Sequence, residues 1–153
     1  MGHAPGVEMR EMRFDILTLF PGLFAGVFEE SIVHRTIDAG LASVHLHNIR
    51  DYAPGKHHVT DDAPYGGGGG MVMKVEPIAY ALEAILGAEI LARQKQTGLV
   101  ETPVVLLTPA GQVFDQQMAR AMERYGRVAL ICGRYEGVDE RVALLFATHQ
   151  VSL

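Results

Sequence analysis

The residues whose types and spacing could do chemistry lie in three glycine-containing segments. The first, residues 61–71, reads Asp-Asp-Ala-Pro-Tyr followed by five glycines and a methionine. Five glycines let a backbone approach a flat or anionic ligand closely, and they offer N–H donors without side-chain obstruction. Aspartates, a tyrosine and methionines frame this run, whereas serines usually accompany glycines in a flexible linker. The segment is therefore predicted to bind a ligand, with a flexible linker as the alternative.

The second and third segments are residues 106–112 (Leu-Leu-Thr-Pro-Ala-Gly-Gln) and 133–137 (Gly-Arg-Tyr-Glu-Gly). Each follows a predicted buried strand, and ligands of open α/β sheets bind outside the carboxyl ends of the strands. A pocket between the two would offer backbone groups, an apolar rim, the Tyr135 phenol and the Glu136 carboxylate. No lysine is placed to hold phosphates, so a neutral adenosine-type ligand is favoured over a triphosphate. The alternative is two ordinary strand-to-helix turns, with Arg134 paired to Glu136 at the surface.

Other chemistry is poorly supported by the sequence. No dinucleotide-binding glycine fingerprint, phosphate-binding loop or hydrolase nucleophile elbow occurs. His57 and His58 are adjacent, and His45 and His47 share one face of a predicted strand. Because no third ligand stands at a convincing spacing, no metal site is predicted. Cys132 ends a buried strand and is predicted to be a small core residue.

The hydrophobic pattern predicts the elements that must position these segments. Strands are expected at residues 14–20, 44–49, 103–107, 128–132 and 149–153. Helical spacing is found at residues 23–28, 31–39, 78–90, 115–122 and 139–145. This alternation predicts an α/β fold, a mostly parallel sheet with helices on both faces.

The boundaries of these elements rest on particular residues. Ser31, Asp115 and Asp139 are predicted to cap the helices that they precede, and Gly40 is predicted to stop the second helix. The strand ending at Leu107 is predicted to break at residues 108–111. Residues 50–73 have no period and form a long loop, which in a compact domain usually indicates function.

Composition sets limits on the class of protein. The chain has 153 residues, 48% of them hydrophobic and 20% charged, which fits one globular domain. One cysteine excludes an internal disulfide framework, and no apolar run approaches the length that spans a bilayer. A soluble cytoplasmic protein without membrane contact is predicted. The net charge of −5 argues mildly against a dedicated nucleic-acid binder.

Four segments together resemble one known family. They are residues 14–21 (Phe-x-Ile-Leu-Thr-Leu-Phe-Pro), 61–71 (Asp-Asp-x-Pro-Tyr-Gly-Gly-Gly-x-Gly-Met), 107–111 (Leu-Thr-Pro-x-Gly) and 132–141 (Cys-Gly-Arg-Tyr-Glu-Gly-Val-Asp-Glu-Arg). In this order they resemble the TrmD family, the bacterial tRNA (guanine-N1)-methyltransferases of the SPOUT class. The resemblance covers residues 12–153, and residues 1–11 are predicted to be a disordered or vector-derived extension.

The resemblance implies a fold, a reaction and partners. The family has a deep trefoil knot that binds S-adenosylmethionine, and it transfers the methyl group to N1 of the tRNA guanosine 3′ of the anticodon. Two subunits build each active site, so a homodimer is expected, and exposed Met71 and Met73 would suit that partner surface. By position, the substrate-binding residues are Gly68, Gly69 and Gly70. The cofactor-binding residues are Leu107, Thr108, Pro109, Gly111, Gly133, Tyr135, Glu136 and Leu153.

The chain also departs from the family pattern. The last strand stops before the loop that completes the cofactor pocket and the knot, and the C-terminal tRNA-binding domain has no counterpart. The sequence is therefore predicted to be the N-terminal part of the methyltransferase domain, inactive alone, with the general base beyond Leu153 and no catalytic residue assigned. Two alternatives stay open: a non-catalytic α/β nucleotide-binding or protein-interaction module, and a complete small enzyme with Glu136 or Asp139 as its base.

Overall fold

A computed structural model describes residues 10–62, 71–133 and 137–153 of the chain. Predictions that concern Gly68, Gly69, Gly70, Tyr135 and Glu136 therefore lie outside the described residues, as do the first nine residues of the predicted extension.

The described residues form a five-stranded parallel sheet. Its strands are β1 (Met12–Thr18), β2 (Ala42–Asn48), β5 (Val104–Val113), β6 (Arg127–Cys132) and β7 (His149–Ser152), in the order β2-β1-β6-β5-β7. A second, antiparallel pair consists of β3 (Asp61–Asp62) and β4 (Val72–Met73). The parallel α/β architecture predicted from the sequence is confirmed.

In the described ranges, five α-helices connect and cover these strands. They are α1 (Ser31–Asp38), α2 (Val75–Leu86), α3 (Ala88–Thr97), α4 (Gln116–Glu123) and α5 (Glu140–Leu145), and two 3₁₀ helices span Pro21–Phe24 and Ile49–Tyr52. None of the helices in the described ranges is long and apolar enough to cross a membrane.

Each face of the sheet has its own apolar cluster. On one face, Leu17, Ile131 and Val104 pack with residues of α2, α3 and α5, for example Leu82, Leu91 and Val142. On the other face, Val105, Val128 and Val151 pack with Met118 and Met122 of α4. Because successive side chains of a strand point to opposite faces, neighbours such as Val104 and Val105 enter different clusters. Helices on both faces, as predicted, are confirmed.

Two of the three predicted caps are confirmed. The Asp115 carboxylate accepts a hydrogen bond from the Met118 N–H at 2.8 Å, and Asp139 accepts one from the Arg141 N–H at 2.9 Å. The cap predicted at Ser31 is wrong. Ser31 is the first residue of α1, with a φ of 69°, and the N-cap position belongs to Glu30. Gly40 follows α1 at a φ of 74°, a conformation that favours glycine, as the predicted helix stop requires.

Two predicted helices are interrupted. The apolar face expected over residues 78–90 belongs to two helices, because Gly87 takes a φ of 90° between α2 and α3. The helical spacing at residues 23–28 gives only the 3₁₀ turn Pro21–Phe24 and then turns without a regular helix. Leu23 and Val27 of this segment stay exposed, so burial does not stabilise a longer helix there.

The strand predicted to break at Thr108 continues to Val113. Leu107 and Gln112 both align with Val151 of β7, so residues 108–111 bulge out between two stretches of pairing. A Cβ on Gly111 would lie 2.4 Å from the Val151 nitrogen, which explains why a glycine stands at this close approach. Pairing with β7 is interrupted at residues 108–111, where the break was predicted, but the strand resumes at Gln112. The continuation was missed because the partner strand lies about 40 residues away and leaves no local signal.

The long segment of residues 50–73 is partly ordered. It begins inside the 3₁₀ helix Ile49–Tyr52 and contains β3 and the whole of β4. Residues 63–70 lie outside the described part of the chain, so the functional interpretation of the glycine run stays a prediction.

A fully buried carboxylate lies toward the amino-terminal ends of the central strands. Asp15 accepts hydrogen bonds from Arg13, from His47 at 2.8 Å and from Arg127 at 2.8 Å. Burial alone would raise the pKa of Asp15, but these partners outweigh it and lower the pKa to about 2. Arg127 also donates to the Ile85 carbonyl at 3.0 Å, near the C-terminus of α2. The cluster ties β1, β2 and β6 to that helix.

Candidate functional site

A cleft of about 730 Å³ opens at the carboxyl ends of β5 and β6. Its volume falls within the usual range for small-molecule sites, and its place is where open α/β sheets bind ligands. The β5 bulge forms one wall, the end of β6 forms the floor, and the first two turns of α5 form the other wall. The residues that line the cleft are Leu106, Leu107, Thr108, Pro109, Ala110, Cys132, Gly133, Gly137, Val138, Asp139, Glu140, Ala143, Leu144 and Gln150.

The β5 wall is a bulge held from behind by β7. Pairing on both sides of the bulge fixes its two ends, so residues 108–111 project as a loop rather than continue the ladder. The Ala110 N–H contacts the Thr108 hydroxyl at a long 3.4 Å. Pro109 has no N–H to donate, and it and Ala110 are exposed at the rim. The wall therefore combines an exposed proline and alanine with the Thr108 hydroxyl.

The floor is formed by Cys132 and Gly133. Burial raises the pKa of the Cys132 thiol, so the neutral thiol is the stable form and the residue is a poor nucleophile. A Cβ placed on Gly133 would lie 3.1 Å from Val138 Cγ2, tighter than ordinary van der Waals contact. Glycine at 133 thus lets the chain return closely over the end of β6.

The α5 wall carries the charge of the cleft. Asp139 pairs with the Arg141 guanidinium at 2.8 Å and also accepts from the Arg141 N–H, and both contacts lower the pKa of Asp139. Glu140 follows on the exposed surface. Among the described residues that line the cleft, two are acidic and none is lysine or arginine. The electrostatics therefore favour a neutral or cationic ligand over a phosphate.

The structure brings four predicted cofactor-binding residues together: Leu107, Thr108, Pro109 and Gly133 all line the cleft. Gly111 is the last residue of the bulge and lies against the backbone of Gln150 and Val151. Leu153 lies elsewhere, at an apolar groove of about 320 Å³ on the opposite face, beside Phe114 and Met118. The roles assigned to these residues stay predictions.

The α5 wall was largely missed by the sequence interpretation. Val138, Ala143 and Leu144 line the cleft although none was assigned to the site, and Asp139 was considered only as the base of the alternative small enzyme. The signal was available, because Val138 and Asp139 directly follow the segment at residues 133–137. A helix that starts there must pack beside the ends of β5 and β6, and its first turns face any ligand bound at that edge.

The β3–β4 pair is attached to the same cleft. Met73 forms an isolated parallel bridge with Val138, and its side chain is only 1% exposed. The expectation that Met73 lies on an exposed apolar surface is therefore wrong, because this side chain packs in the core beside α2. Met71 is 51% exposed, as expected.

The histidines considered for metal binding do not converge. Within the three described ranges, no group of three or more histidine, cysteine, aspartate or glutamate side chains could hold a metal ion. His47 instead pairs with Asp15, and the His58 ring contacts the Arg50 carbonyl at 3.0 Å.

Comparison with known proteins assigns the family. The family model described as tRNA (Guanine-1)-methyltransferase TrmD matches residues 12–153. The chain belongs to the TrmD family. The TrmD resemblance that four segments of the sequence indicated is thereby confirmed.

Similar proteins agree with this assignment. The chain is 53% identical over 142 residues to the tRNA (guanine-N(1)-)-methyltransferase of Citrifermentans bemidjiense. The aligned region is 93% of this chain and 53% of that protein. The chain is 49% identical to the Geobacter sulfurreducens enzyme, with 93% and 54% covered. The crystal structure of tRNA (m1G37) methyltransferase from Aquifex aeolicus matches with a TM-score of 0.74 at 34% identity, covering 94% of the chain and 60% of that structure. The chain thus spans about half the length of its curated relatives.

Proposed function

We propose that this TrmD-family chain supplies the methyl-donor cleft of an enzyme that methylates N1 of the guanosine 3′ of the anticodon in tRNA. The observation that carries the proposal is the cleft at the carboxyl ends of β5 and β6, which gathers Leu107, Thr108, Pro109 and Gly133. The names of the relatives supply the reaction class.

The described residues fit S-adenosylmethionine as the cleft ligand. Leu106, Leu107, Val138 and Leu144 offer apolar contact to a purine and ribose. The backbone of the β5 bulge offers acceptors for an amino group. Asp139 and Glu140 place negative charge beside a ligand that carries a positively charged sulfonium. When bound, that ligand supplies an activated methyl group.

Four residues of the cleft, Leu107, Thr108, Pro109 and Gly133, would hold the donor. Donor-binding roles for Gly111, Tyr135, Glu136 and Leu153 rest on the family resemblance alone. Gly68, Gly69 and Gly70 would meet the target guanine. The general base that accepts the N1 proton is not assigned to any residue of this chain.

The partners in this proposal are tRNA and a second subunit, and the place of action is the cytoplasm. Several large apolar side chains between β1 and the first turn of α1 support a partner surface: Phe20 is 40% exposed, Leu23 75%, Val27 56% and, within α1, Ile32 75%. Contiguous exposed apolar surface is typical of an interface. A homodimer by light scattering at micromolar concentration is expected, and a monomer at all accessible concentrations would contradict it.

A complete small enzyme with Asp139 as its base is disfavoured by the geometry. The Asp139 carboxylate caps α5 and pairs with Arg141, and these contacts lower its pKa. A carboxylate held in this way is a weak base toward N1 of guanine, because a base is effective when its pKa lies near the working pH.

The experiment uses the complete product of the gene that encodes this chain. Incubation with S-adenosylmethionine labelled in the methyl group and unmodified tRNA should transfer label to the guanosine 3′ of the anticodon. A matched tRNA with adenosine at that position should stay unlabelled. Absence of transfer, together with binding of ATP or another phosphate-bearing nucleotide in the same cleft, would favour the nucleotide-binding module instead.

The 153-residue chain provides a second arm of the same experiment. If the chain supplies only part of the active site, it should bind S-adenosylmethionine weakly and transfer no methyl group. Low-micromolar binding at one site per chain would show that the described cleft is already sufficient for the donor.

A further inference from the structure

Three segments of the chain meet at Met73. Its N–H donates to the Gly137 carbonyl at 3.1 Å, and its carbonyl accepts from the Asp139 N–H at 3.0 Å. Both backbone groups of Met73 therefore bond to the segment that forms the floor and one wall of the cleft.

The same short stretch also holds the β3–β4 pair. Met73 pairs with Asp61, and Val72 pairs with Asp62. The Lys74 N–H donates to the Thr60 carbonyl at 2.7 Å. The two strands that flank the glycine run are thus joined to the cleft by backbone hydrogen bonds, which are independent of side-chain identity.

Val138 contacts both the β3–β4 pair and the cleft. Its backbone forms the bridge with Met73, and its side chain lines the cleft. Val138 Cγ2 lies close above the cleft floor, where a Cβ added to Gly133 would come within 3.1 Å of it. A ligand that presses on this side chain therefore also acts on the bridge.

The bridge has a rigid support on its far side. The Met73 side chain is buried among Ile49, Val75 and Ile78, in the larger of the two apolar clusters. Close-packed interiors transmit displacement rather than absorb it, because they contain few voids. A shift at Val138 is therefore expected to move β3 and β4 as a unit instead of being lost in side-chain rearrangement.

We propose that Val138 is a positioning residue that couples occupancy of the cleft to the placement of the β3–β4 pair. This inference rests on the proposed function, in which the cleft holds the methyl donor and the run between β3 and β4 meets the guanine. Cleft occupancy then aligns the acceptor side before transfer, and such coupling must be reciprocal between the two ligands. Alignment of this kind affects rate strongly, since misplacement by about 1 Å can cost about a hundredfold.

Hydrogen exchange of single amides tests the coupling directly. The complete gene product is titrated with S-adenosylhomocysteine, the demethylated form of the donor. We expect at least about tenfold slower exchange at the Met73 and Asp139 amides, by analogy with ligand-stabilised local structure. The Arg13 amide, which bonds to the Gly126 carbonyl away from the cleft, serves as the control and should not change.

The outcomes separate the coupling from the proposed function. Slower exchange at Ala110 with no change at Met73 would overturn the coupling and leave the donor site intact. Absence of any S-adenosylhomocysteine binding would overturn the proposed donor site and the coupling that rests on it.

A variant pair tests the role of the side chain. Val138→Ala removes the methyl groups of a residue that lines the cleft but keeps the backbone bridge to Met73. Val128→Ala trims a valine that is 3% exposed in the cluster on the opposite face. In Val138→Ala, S-adenosylhomocysteine should leave the affinity for tRNA nearly unchanged. The variant should also have a kcat about tenfold lower at saturating substrates. Val128→Ala should lower the unfolding temperature but keep the ligand coupling. Equal coupling in Val138→Ala and the unaltered protein would overturn the proposal.

Discussion

The carboxylates of Asp15 and Asp139 lie toward opposite ends of the parallel sheet, and their surroundings differ. Asp15 has no exposed side-chain surface and is held by three cationic or polar partners that come from β1, β2 and β6. Asp139 is 12% exposed and pairs with one arginine that is itself half exposed and only two residues away. Both pairings lower the pKa of the aspartate.

The difference shows what each end of the sheet does. The Asp15 carboxylate forms its hydrogen bonds within the protein, to Arg13, His47 and Arg127. This cluster therefore contributes to stability and has few free groups to offer a ligand. At the carboxyl end, the bulge of residues 108–111 and the exposed Glu140 at the start of α5 line an open cleft. Polar groups that are not satisfied internally are available for binding.

Breaking the Asp15 cluster should have the largest effect. Asp15→Ala leaves Arg13 and Arg127 without their carboxylate, and removing one partner of a buried ion pair costs about 3 kcal/mol or more. Urea denaturation should therefore show a free energy of unfolding lower by about 3 kcal/mol. Asp51→Asn, at an exposed carboxylate, is the control and should change this value by less than about 0.5 kcal/mol. A loss below about 1 kcal/mol in Asp15→Ala would contradict the assigned role.

Gly111→Ala should have the next largest effect, because it disturbs the pairing of β5 with β7 that holds one wall of the cleft. The added Cβ would meet backbone atoms of Gln150 and Val151, which cannot rotate away as a side chain can. We expect about 2 kcal/mol of destabilisation together with weaker donor binding, since overpacking commonly costs about 1–3 kcal/mol. Gly26→Ala, where nothing lies within 4 Å of the added atom, is the matched control. Similar calorimetric unfolding temperatures for both variants would show that the strand pairing tolerates the insertion.

The pH dependence of stability sharpens the comparison. The pKa of Asp15 falls from 3.8 to about 2 on folding, so its contribution is complete above pH 3.8 and is lost as the pH falls toward 2. Proton linkage predicts that the contribution of Asp15 to the free energy of unfolding falls by about 1 kcal/mol at about pH 3 and by about 2 kcal/mol at about pH 2. The difference in unfolding free energy between the unaltered protein and Asp15→Asn should shrink by these amounts. A difference that stays constant from about pH 6 to about pH 3 would place the stabilisation elsewhere.

A charge change in the cleft should have the smallest effect of these substitutions, on the free energy of ligand binding. It distinguishes best between the possible ligands. Glu140→Lys puts a cation on a wall where the described lining residues carry none. Binding of S-adenosylmethionine should weaken about fivefold, which corresponds to about 1 kcal/mol. Glu140→Lys should weaken binding of S-adenosylhomocysteine less, because this ligand lacks the sulfonium charge. Glu140→Gln should weaken binding of S-adenosylmethionine by less than Glu140→Lys does.

The opposite result in this titration would be informative. If Glu140→Lys tightened binding of ATP while the unaltered protein bound no sulfonium ligand, the cleft would suit a nucleotide-binding module. Isothermal titration of each variant with the three ligands distinguishes these outcomes. Unchanged circular dichroism spectra would show that the exposed substitution leaves the fold intact.

The sequence by itself determined the parts of this protein that depend on local physical chemistry. Alternation and apolar runs located the five strands of the parallel sheet, and Asp115 and Asp139 marked two helix starts through their capping carboxylates. These signals are readable because hydrophobic period and end-capping act within a few residues. The four family segments likewise identified the TrmD family through the types and order of their residues alone.

Only the tertiary structure decided the features that join distant segments. The continuation of β5 past Thr108 depends on pairing with β7, and the burial of Met73 depends on its packing in the apolar cluster beside α2. Two of the three partners of Asp15 come from positions 32 and 112 residues away. Which side chains complete a cleft or satisfy a buried charge is set by the packing of strands and helices in space, and no local pattern of residue types encodes that arrangement.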